Sequence, residues 1–292
     1  MGLIFKLKNL LSKTKNKLVY KASHKNIRGI SSYPYISCDT FLSISDSCII
    51  TQNNKVTSLK FTNKKNIIFI ENDLLSKESN FEIAKKYKKV ILHYGDNIPD
   101  EKLLKELVNN KIYVFATNVE FLDKYIEPIP IGIENACLGK NGNLDYYNPV
   151  NIANISTKKK NILLTSFRTQ TNSEVREKYE FILKNFGYKN KLYKDLKEYR
   201  DILSSSYFVI SPPGNGLDCH RTWEALIHKT IPIIERKYYL FQHLDLPILV
   251  VDDIKEFLEY SDNKKLKIYK NILKKSFEKT YAKWWLDYII KK

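Results

Sequence analysis

The sequence predicts an α/β protein with mainly parallel sheets, arranged in two halves of similar size. Short β-branched or aromatic runs alternate with longer segments of helical spacing. One run is followed by a loop that holds two of the nine prolines and two of the nine glycines, and then by a helix. A segment rich in Asn, Gly and Lys, residues 137–160, has no periodicity and reads as a linker. We therefore expect one α/β domain over residues 1–150 and a second over residues 151–292.

The first half is predicted to alternate strands with helices. Strands are expected at 41–51, 66–70, 90–93 and 112–116, and helices at 77–88 and 100–109. Asp100 is a suitable cap for the second helix. Ligands of parallel sheets bind beyond the carboxyl ends of the strands, so the strand-end residues His93, Asp96 and Asn118 are candidates for chemistry.

The second half repeats this alternation. Strands are expected at 161–165, 207–210, 231–234 and 245–251. Helices are expected at 173–185, 196–204, 220–228, 254–276 and 277–290, the last of them aromatic. The stretch from Ser211 to Leu226 lies between a strand and a helix that Asp218 is expected to cap.

This strand, loop and helix would turn backbone N–H groups and a helix N-terminus towards an anion. Arg221 in the first helical turn opposes the macrodipole, a cost that an anionic ligand would remove. Glu224 shares a face with His220 and suits a pair of sugar hydroxyls. The stretch therefore predicts a cradle for a diphosphate and a ribose. The alternative is a loop and helix kept for packing, with Arg221 paired to Asp218.

Arginine is informative here because the chain otherwise uses lysine. The net charge is +17, yet only six of the 49 basic residues are arginine. A planar guanidinium is retained where bidentate geometry matters. The residues predicted to bind the ligand of this cradle are Arg168, Arg176, Ser211, Gly214, Gly216, Asp218, His220, Arg221 and Glu224.

The positive charge suggests nucleic acids or anionic membranes as partners. The lysines are scattered rather than collected with aromatic residues, so no nucleic-acid partner is expected. A basic nucleic-acid-binding protein remains the alternative function. Residues 1–21 lack the apolar run of a signal peptide or membrane span, but they have the pattern of a short basic amphipathic helix. We expect a cytoplasmic protein in which Met1–Lys21 either contacts a membrane peripherally or is a solvated extension.

Cys38, Cys48, Cys137 and Cys219 form no CxxC pair. Neither a structural zinc site nor a disulfide framework is expected, which fits a reducing compartment.

The central motif resembles that of a known family. Ser211-Pro-Pro-Gly-Asn-Gly-Leu-Asp, followed by His220-Arg-Thr-Trp-Glu-Ala-Leu and Ile231-Pro-Ile-Ile, is similar to the C-terminal motif of exostosin-like glycosyltransferases and their viral and bacterial relatives. The segments 129–135 and 164–168 lie where that family carries similar ones. The match is specific over 207–234, suggestive over 129–176 and faint earlier. Lys229 stands where the family usually has glycine.

The resemblance implies a GT-B architecture. Two Rossmann-like domains would face each other across a cleft, the second would hold the sugar nucleotide, and the C-terminal helix would cross back to the first. Such an enzyme moves a sugar from a UDP- or GDP-linked donor to a glycan or other hydroxyl acceptor. We expect the configuration at the anomeric carbon of the transferred sugar to be inverted. The resemblance implies no cofactor beyond the nucleotide sugar.

Metal-independent transfer is predicted because the chain contains no Asp-x-Asp. Arg168, Arg221 and helix N-terminal amides would stabilise the leaving diphosphate instead. The alternative is a metal bound by His220, Glu224 and His228, which are spaced four residues apart.

The general base is expected in the first domain, where Asp96 follows a strand. His93, Asp46 and Glu134 are alternatives, and a turn-forming role is the structural interpretation of Asp96. A dinucleotide-dependent oxidoreductase is disfavoured because the glycine loop lacks the third glycine of GxGxxG. A glycosyltransferase-like fold without activity is a further alternative.

Overall fold

The computed structural model describes residues 32–52, 54–136, 142–147, 159–193 and 195–292. They form two compact α/β units. The first takes its described residues from Met1–Asn143 and adds Tyr281–Lys292, and the second is Leu144–Thr280. The division therefore falls at residues 143 and 144 rather than at 150, and the last residues belong with the first unit. Residues 1–21 and most of the expected linker lie outside the described residues.

The first unit contains a six-stranded sheet in the order β2-β1-β3-β4-β5-β6. All neighbouring strands are parallel except β1 and β2, which are antiparallel. The strands are β1 (Ser47–Gln52), β2 (Lys55–Lys60), β3 (Ile67–Glu71), β4 (Lys89–His93), β5 (Tyr113–Ala116) and β6 (Ile126–Pro128). The central strands are buried almost throughout, as parallel strands covered on both faces should be.

The expected helices of this unit are present with shorter bounds, and the strands expected at 66–70, 90–93 and 112–116 are present with bounds that differ by one residue. The helices are α1 (Cys38–Leu42), α2 (Glu78–Ala84) and α3 (Glu101–Asn109). Asp100 caps α3 as predicted, since its carboxylate accepts from the backbone N of Lys102 at 2.8 Å and of Leu103 at 3.2 Å.

Three features of the first unit differ from the prediction. Residues 41–51 do not form one strand, because Ser37 and Thr40 make a capping box that starts α1, and β1 begins only at Ser47. Strand β2 was not expected because its Lys, Thr and Ser residues are mostly exposed on an antiparallel edge. Strand β6 was not expected because it is only three residues long.

The second unit contains a four-stranded, fully parallel sheet in the order β10-β9-β8-β7. The strands are β7 (Asn161–Leu164), β8 (Ser206–Ile210), β9 (Ile231–Glu235) and β10 (Leu249–Val251). The helices are α4 (Ser173–Asn185), α5 (Leu196–Ser204), α6 (His220–Ile227), α7 (Ile254–Glu259) and α8 (Asp262–Ile272). The predicted bounds of α4 and α5 are confirmed. The stretch 254–276 is mostly helical as predicted, and it contains two helices because Ser261 caps the second one.

Helix α9 (Ala282–Lys291) closes the first unit. The segment before it pairs with the start of the described chain, where the Tyr35 and Tyr281 rings stack at 5.9 Å. At the other end, Lys89 Nζ donates to the carbonyl oxygens of Ile289 at 2.7 Å and Ile290 at 3.1 Å. A cation at this position satisfies carbonyls that a helix C-terminus leaves unpaired.

None of the helices in the described ranges is both long and apolar enough to cross a bilayer.

Candidate anion-binding site

The candidate site lies at the carboxyl edge of the second sheet. Strands β7 and β8 are parallel neighbours, with Leu164 beside Val209, so the loops that follow them emerge side by side. Arg168 lies in the first loop, and Ser211–Cys219 form the second. Helix α6 begins at the end of that second loop. Such an edge is where open α/β sheets bind ligands.

Arg176 of α4 ties the two loops together. Its Nη1 donates to Arg168 O at 2.8 Å, its Nε to Pro213 O at 2.8 Å and its Nη2 to Pro212 O at 3.3 Å. Arg176 is buried, and burial, followed by the charge of Arg221, lowers the pKa of its guanidinium. The side chain therefore shapes the loop from within, and direct donor binding by Arg176 stays a prediction.

Arg176 also limits the size of the residue at position 214, which is a glycine. A Cβ at residue 214 would lie 3.1 Å from Arg176 Nη2, so any larger residue would crowd the guanidinium. Asn172 Nδ2 donates to Gly214 O at 2.9 Å, and Gly214 N donates to Gly216 O at 2.9 Å. The loop is thus held in one shape by main-chain and side-chain bonds.

Asp218 does not cap α6, so that prediction is wrong. The N-cap is Cys219, which makes no side-chain cap bond. The Asp218 carboxylate instead accepts from the indole Nε1 of buried Trp223 at 2.8 and 3.0 Å, and from Cys219 N at 2.9 Å. A buried indole N–H needs an acceptor, which explains why the carboxylate is turned towards it.

The N-terminus of α6 is suited to an anion. Its first turn contains no acidic residue, and no side chain caps it. Arg221 is partly buried, and its Nε is buried with no hydrogen-bond partner among the described residues. Burial raises the pKa of the neighbouring Cys219 thiol, while the charges of Arg221 and Arg176 oppose that shift. His220 and Arg168 are exposed, and the hydroxyls of Ser211 and Thr222 lie 2.8 Å apart.

Glu224 is engaged inside the unit. Arg200 Nη2 lies 2.7 Å from Glu224 Oε1, and both side chains are buried. Tyr147 also donates its hydroxyl to Oε1 at 3.4 Å. The Arg200 guanidinium lies over the rings of Tyr147, at 4.7 Å, and Tyr199, at 5.5 Å. Burial favours the neutral form of Arg200 and lowers its pKa. Interactions with Glu224, Tyr147 and Tyr199 favour the charged form, so the pKa is raised overall.

No role was predicted from the sequence for Arg200, Tyr147 or Tyr199. The rarity of arginine was the available signal for Arg200, but its partner cannot be read from a spacing of 24 residues. Tyr147 lies in a stretch without periodicity. Ribose binding by Glu224 stays a prediction, with Oε1 held by protein groups and Oε2 making no hydrogen bond within the described residues.

His228 lies at the far end of α6. Its Nδ1 is 2.7 Å from Ser204 Oγ, and its Nε2 is buried without a partner among the described residues. Burial, then the charges of Arg200 and Lys159, lower the pKa of His228 to about 3. With Glu224 paired to Arg200 and His228 bonded to Ser204, the evenly spaced trio with His220 is divided among separate partners. No group of three or more His, Cys, Asp and Glu in the described ranges is placed to hold a metal ion.

The base candidates of the first unit lie in unlike surroundings. Asp96 is exposed in the loop after β4, and its carbonyl accepts from Asn118 Nδ2 at 3.2 Å. His93 is buried, and its Nδ1 accepts from Tyr94 N at 2.7 Å, so Nε2 carries the proton that it donates to Pro130 O at 3.1 Å. Asp46 accepts three hydrogen bonds, from Thr62 Oγ1 at 2.6 Å, Asn66 N at 2.9 Å and Ile67 N at 3.1 Å. Glu134 Oε2 is buried and unpartnered in the described part of the chain.

No family model and no curated protein matches the sequence. Among solved structures, the chain is similar to the structure of the Candida albicans trehalose-6-phosphate phosphatase N-terminal domain. The two are 12% identical with a TM-score of 0.37, over 78% of this chain and 72% of that chain. A likeness this distant bears on neither substrate nor reaction.

Proposed function

We propose that the protein is a glycosyltransferase that moves a sugar from a UDP- or GDP-linked donor to a hydroxyl acceptor, with inversion and without a metal. An exostosin-like relationship and a GT-B-like architecture are part of this proposal. The observations that support it best are the start of α6, which has no side-chain cap and no acidic residue in its first turn, and the buried Nε of Arg221, which has no hydrogen-bond partner among the described residues.

The leaving diphosphate sets the chemical demand on this site. Negative charge grows on the phosphate oxygens as the bond to the sugar breaks, so positive groups fixed in advance lower the barrier. Arg221 and the first N–H groups of α6 are proposed to supply such groups, and Arg168, which is exposed in the neighbouring loop, is proposed to add a further cation. Arg176 contributes by fixing the loop that carries Gly214 and Gly216.

Glu224 is proposed to orient the nucleoside. Its Oε1 is fixed by Arg200 and Tyr147, which leaves Oε2 to accept from ribose hydroxyls. A carboxylate held in this way loses little conformational freedom when it binds. Asp218 and Ser211 are proposed to support donor binding indirectly, by holding the loop and the start of α6 in place.

The acceptor and the base are proposed to belong to the first unit. Asp96 lies at the carboxyl edge of that sheet and is exposed, so an acceptor hydroxyl can reach it. In this proposal Asp96 accepts the hydroxyl proton as the oxygen attacks the sugar carbon.

Calorimetry tests the donor half of the proposal. UDP and GDP are titrated into the protein with excess EDTA and again with manganese, beside a screen for hydrolysis of their sugar derivatives. We expect one nucleotide to bind equally well in both conditions. Binding that vanishes in EDTA and returns with manganese would refute metal independence. Failure of both nucleotides, together with salt-dependent binding of DNA, would favour the nucleic-acid-binding alternative.

A further inference from the structure

The carboxyl edge of the first sheet carries three buried side-chain oxygens that lack a hydrogen-bond partner among the described residues. They are Asn72 Oδ1, Thr117 Oγ1 and Glu134 Oε2, and within the described part of the first unit no other side-chain atom shares this condition. Asn72 is 5% exposed and Thr117 is 1% exposed. Buried polar atoms are nearly always hydrogen-bonded, so three exceptions in one region require an explanation.

The three residues follow strands that end at this edge. Asn72 directly follows β3, and Thr117 directly follows β5. The segment that carries Glu134 follows β6 and is kept at this edge by the bond between Pro130 O and His93 Nε2. With strands about 4.8 Å apart, the edge from β3 to β6 spans roughly 15 Å, which suits one or two sugar rings.

Two side-chain amide groups at this edge donate hydrogen bonds to the loop after β4. Asn72 Nδ2 donates to Asn97 O, and Asn118 Nδ2 donates to Asp96 O at 3.2 Å. Within the described residues the unpartnered atom of Asn72 is its carbonyl oxygen, and the other two unpartnered atoms of the edge are a hydroxyl and a carboxylate oxygen. The unpartnered atoms are suited to a molecule that donates hydrogen bonds.

The loops at this edge are acidic, whereas the chain as a whole is basic. Residues 71–76, 94–100, 116–123 and 129–135 contain no lysine or arginine but seven acidic residues, in a protein with a net charge of +17. An edge of this composition repels anions at short range. Uronic acids, phosphates and nucleic acids are therefore poor candidates, and uncharged hydroxyl groups are good ones.

We propose that this edge binds the hydroxyls of an uncharged carbohydrate through Asn72, Thr117 and Glu134. The inference rests on the proposed function in one respect, since it makes that carbohydrate the acceptor. Binding itself does not depend on the donor site.

Saturation-transfer NMR on the full chain tests the site with methyl glycosides of glucose, galactose, mannose, N-acetylglucosamine, glucosamine and glucuronic acid. We expect signals from uncharged glycosides and none from the glucuronide. Thr117→Val should weaken their binding roughly three- to tenfold, the loss of one neutral hydrogen bond. Glu134→Gln should weaken it roughly ten- to hundredfold, because its hydrogen bond is charge-assisted.

A stability measurement separates binding from folding. Thr117→Val should leave the melting temperature unchanged or raise it, since the hydroxyl has no protein bond to lose. Thr230→Val is the matched control. Its buried hydroxyl donates to Leu203 O at 2.6 Å and accepts from Lys159 Nζ at 3.0 Å. This control should lower the melting temperature and leave glycoside binding intact.

Several outcomes would overturn the inference. They are silence from every uncharged glycoside, preferential binding of the glucuronide or of glucosamine, full binding by both edge variants, and a melting loss in Thr117→Val as large as in Thr230→Val. UDP and GDP titrations on the same samples keep the two proposals apart. Nucleotide binding without glycoside binding rejects only the carbohydrate site, and the reverse rejects only the donor site.

Discussion

Arg200 and Glu224 form a buried ion pair, with Nη2 and Oε1 2.7 Å apart, between α5 and the middle of α6. The pair places a charged contact directly behind the helix start that we propose for the diphosphate. Glu224 thus contributes to the stability of the fold in addition to its proposed contact with the ribose. The two contributions can be measured separately.

Glu224→Gln should lower the free energy of unfolding by about 3–5 kcal/mol, because Arg200 would keep a buried charge without a counter-charge. Urea denaturation measures this loss. Glu174→Gln is the matched control, since Glu174 lies in an exposed pair with Lys178 at 3.8 Å and should change stability by less than about 0.5 kcal/mol. Among folded molecules, nucleoside and nucleotide binding should weaken alike, by about 1–3 kcal/mol. Unchanged affinity for both would remove Glu224 from the ribose and leave only the ion pair.

Arg221→Lys should spare the free nucleoside and weaken the diphosphate. Lysine keeps the charge but loses the planar fork that bonds two phosphate oxygens at once, so a loss of about 1.5–3 kcal/mol is expected for UDP or GDP. Calorimetry with uridine and UDP, or guanosine and GDP, measures the difference. Arg236→Lys serves as a control because Arg236 pairs with Asp252 at 2.5 Å on an exposed surface. Equal losses for nucleoside and diphosphate in the Arg221 variant would contradict the proposed geometry.

Asp96→Asn should slow sugar transfer by about two orders of magnitude or more while donor affinity stays near that of the wild type. The amide keeps the size of the side chain but cannot accept the hydroxyl proton. Initial rates and donor titrations on one preparation give both quantities. A near wild-type rate would move the role to His93, Asp46 or Glu134. Glu134→Gln would be the next variant, because Glu134 Oε2 is unpartnered within the described residues, whereas His93 and Asp46 already use their polar atoms.

His228→Gln should make the protein less sensitive to acid. The unfolded chain protonates this histidine near its ordinary pKa of 6.5, whereas the folded protein does so only near a pKa of about 3. The unfolded state therefore binds the extra proton between these values, and stability falls as the pH drops from 6.5 towards 3. The contribution is at most about 1.4 kcal/mol per pH unit.

Urea denaturation of wild type and variant from pH 7 to pH 4 measures the change in slope. His243→Gln is the control, because His243 is exposed. Parallel stability curves for wild type and His228→Gln would mean that His228 titrates normally in the folded protein.

The sequence predicts elements best where the pattern is local. Helices α4 and α5 have the predicted bounds because their caps, Asn172 and Asp195, and their apolar spacing act within one turn. Strand β2 escapes prediction because exposed Lys and Thr carry no core signal, and its place depends on pairing with β1.

The candidate site follows the same rule. The loop, the start of α6 and Arg221 can be read from one continuous stretch. The partners of Arg176, Asp218 and Glu224 cannot, because each side chain had a plausible ligand role and the protein groups that engage it depend on the packed fold. Arg200 meets Glu224 across 24 residues, and Arg176 reaches Pro213 across 37 residues. Such pairings follow from how the helices pack on the sheet, which residue spacing does not record.

The return of Tyr281–Lys292 to the first unit sets the order in which the chain can fold during synthesis. The first unit lacks α9 until residues 281–292 have left the ribosome, since the bond from Lys89 to Ile289 spans 200 residues. The second unit is continuous, so all its residues emerge earlier. The unit nearer the N-terminus is thus the later one to be completed, the reverse of the usual order in multidomain chains. A fragment that stops before residue 281 would leave Lys89 without the carbonyls that it caps.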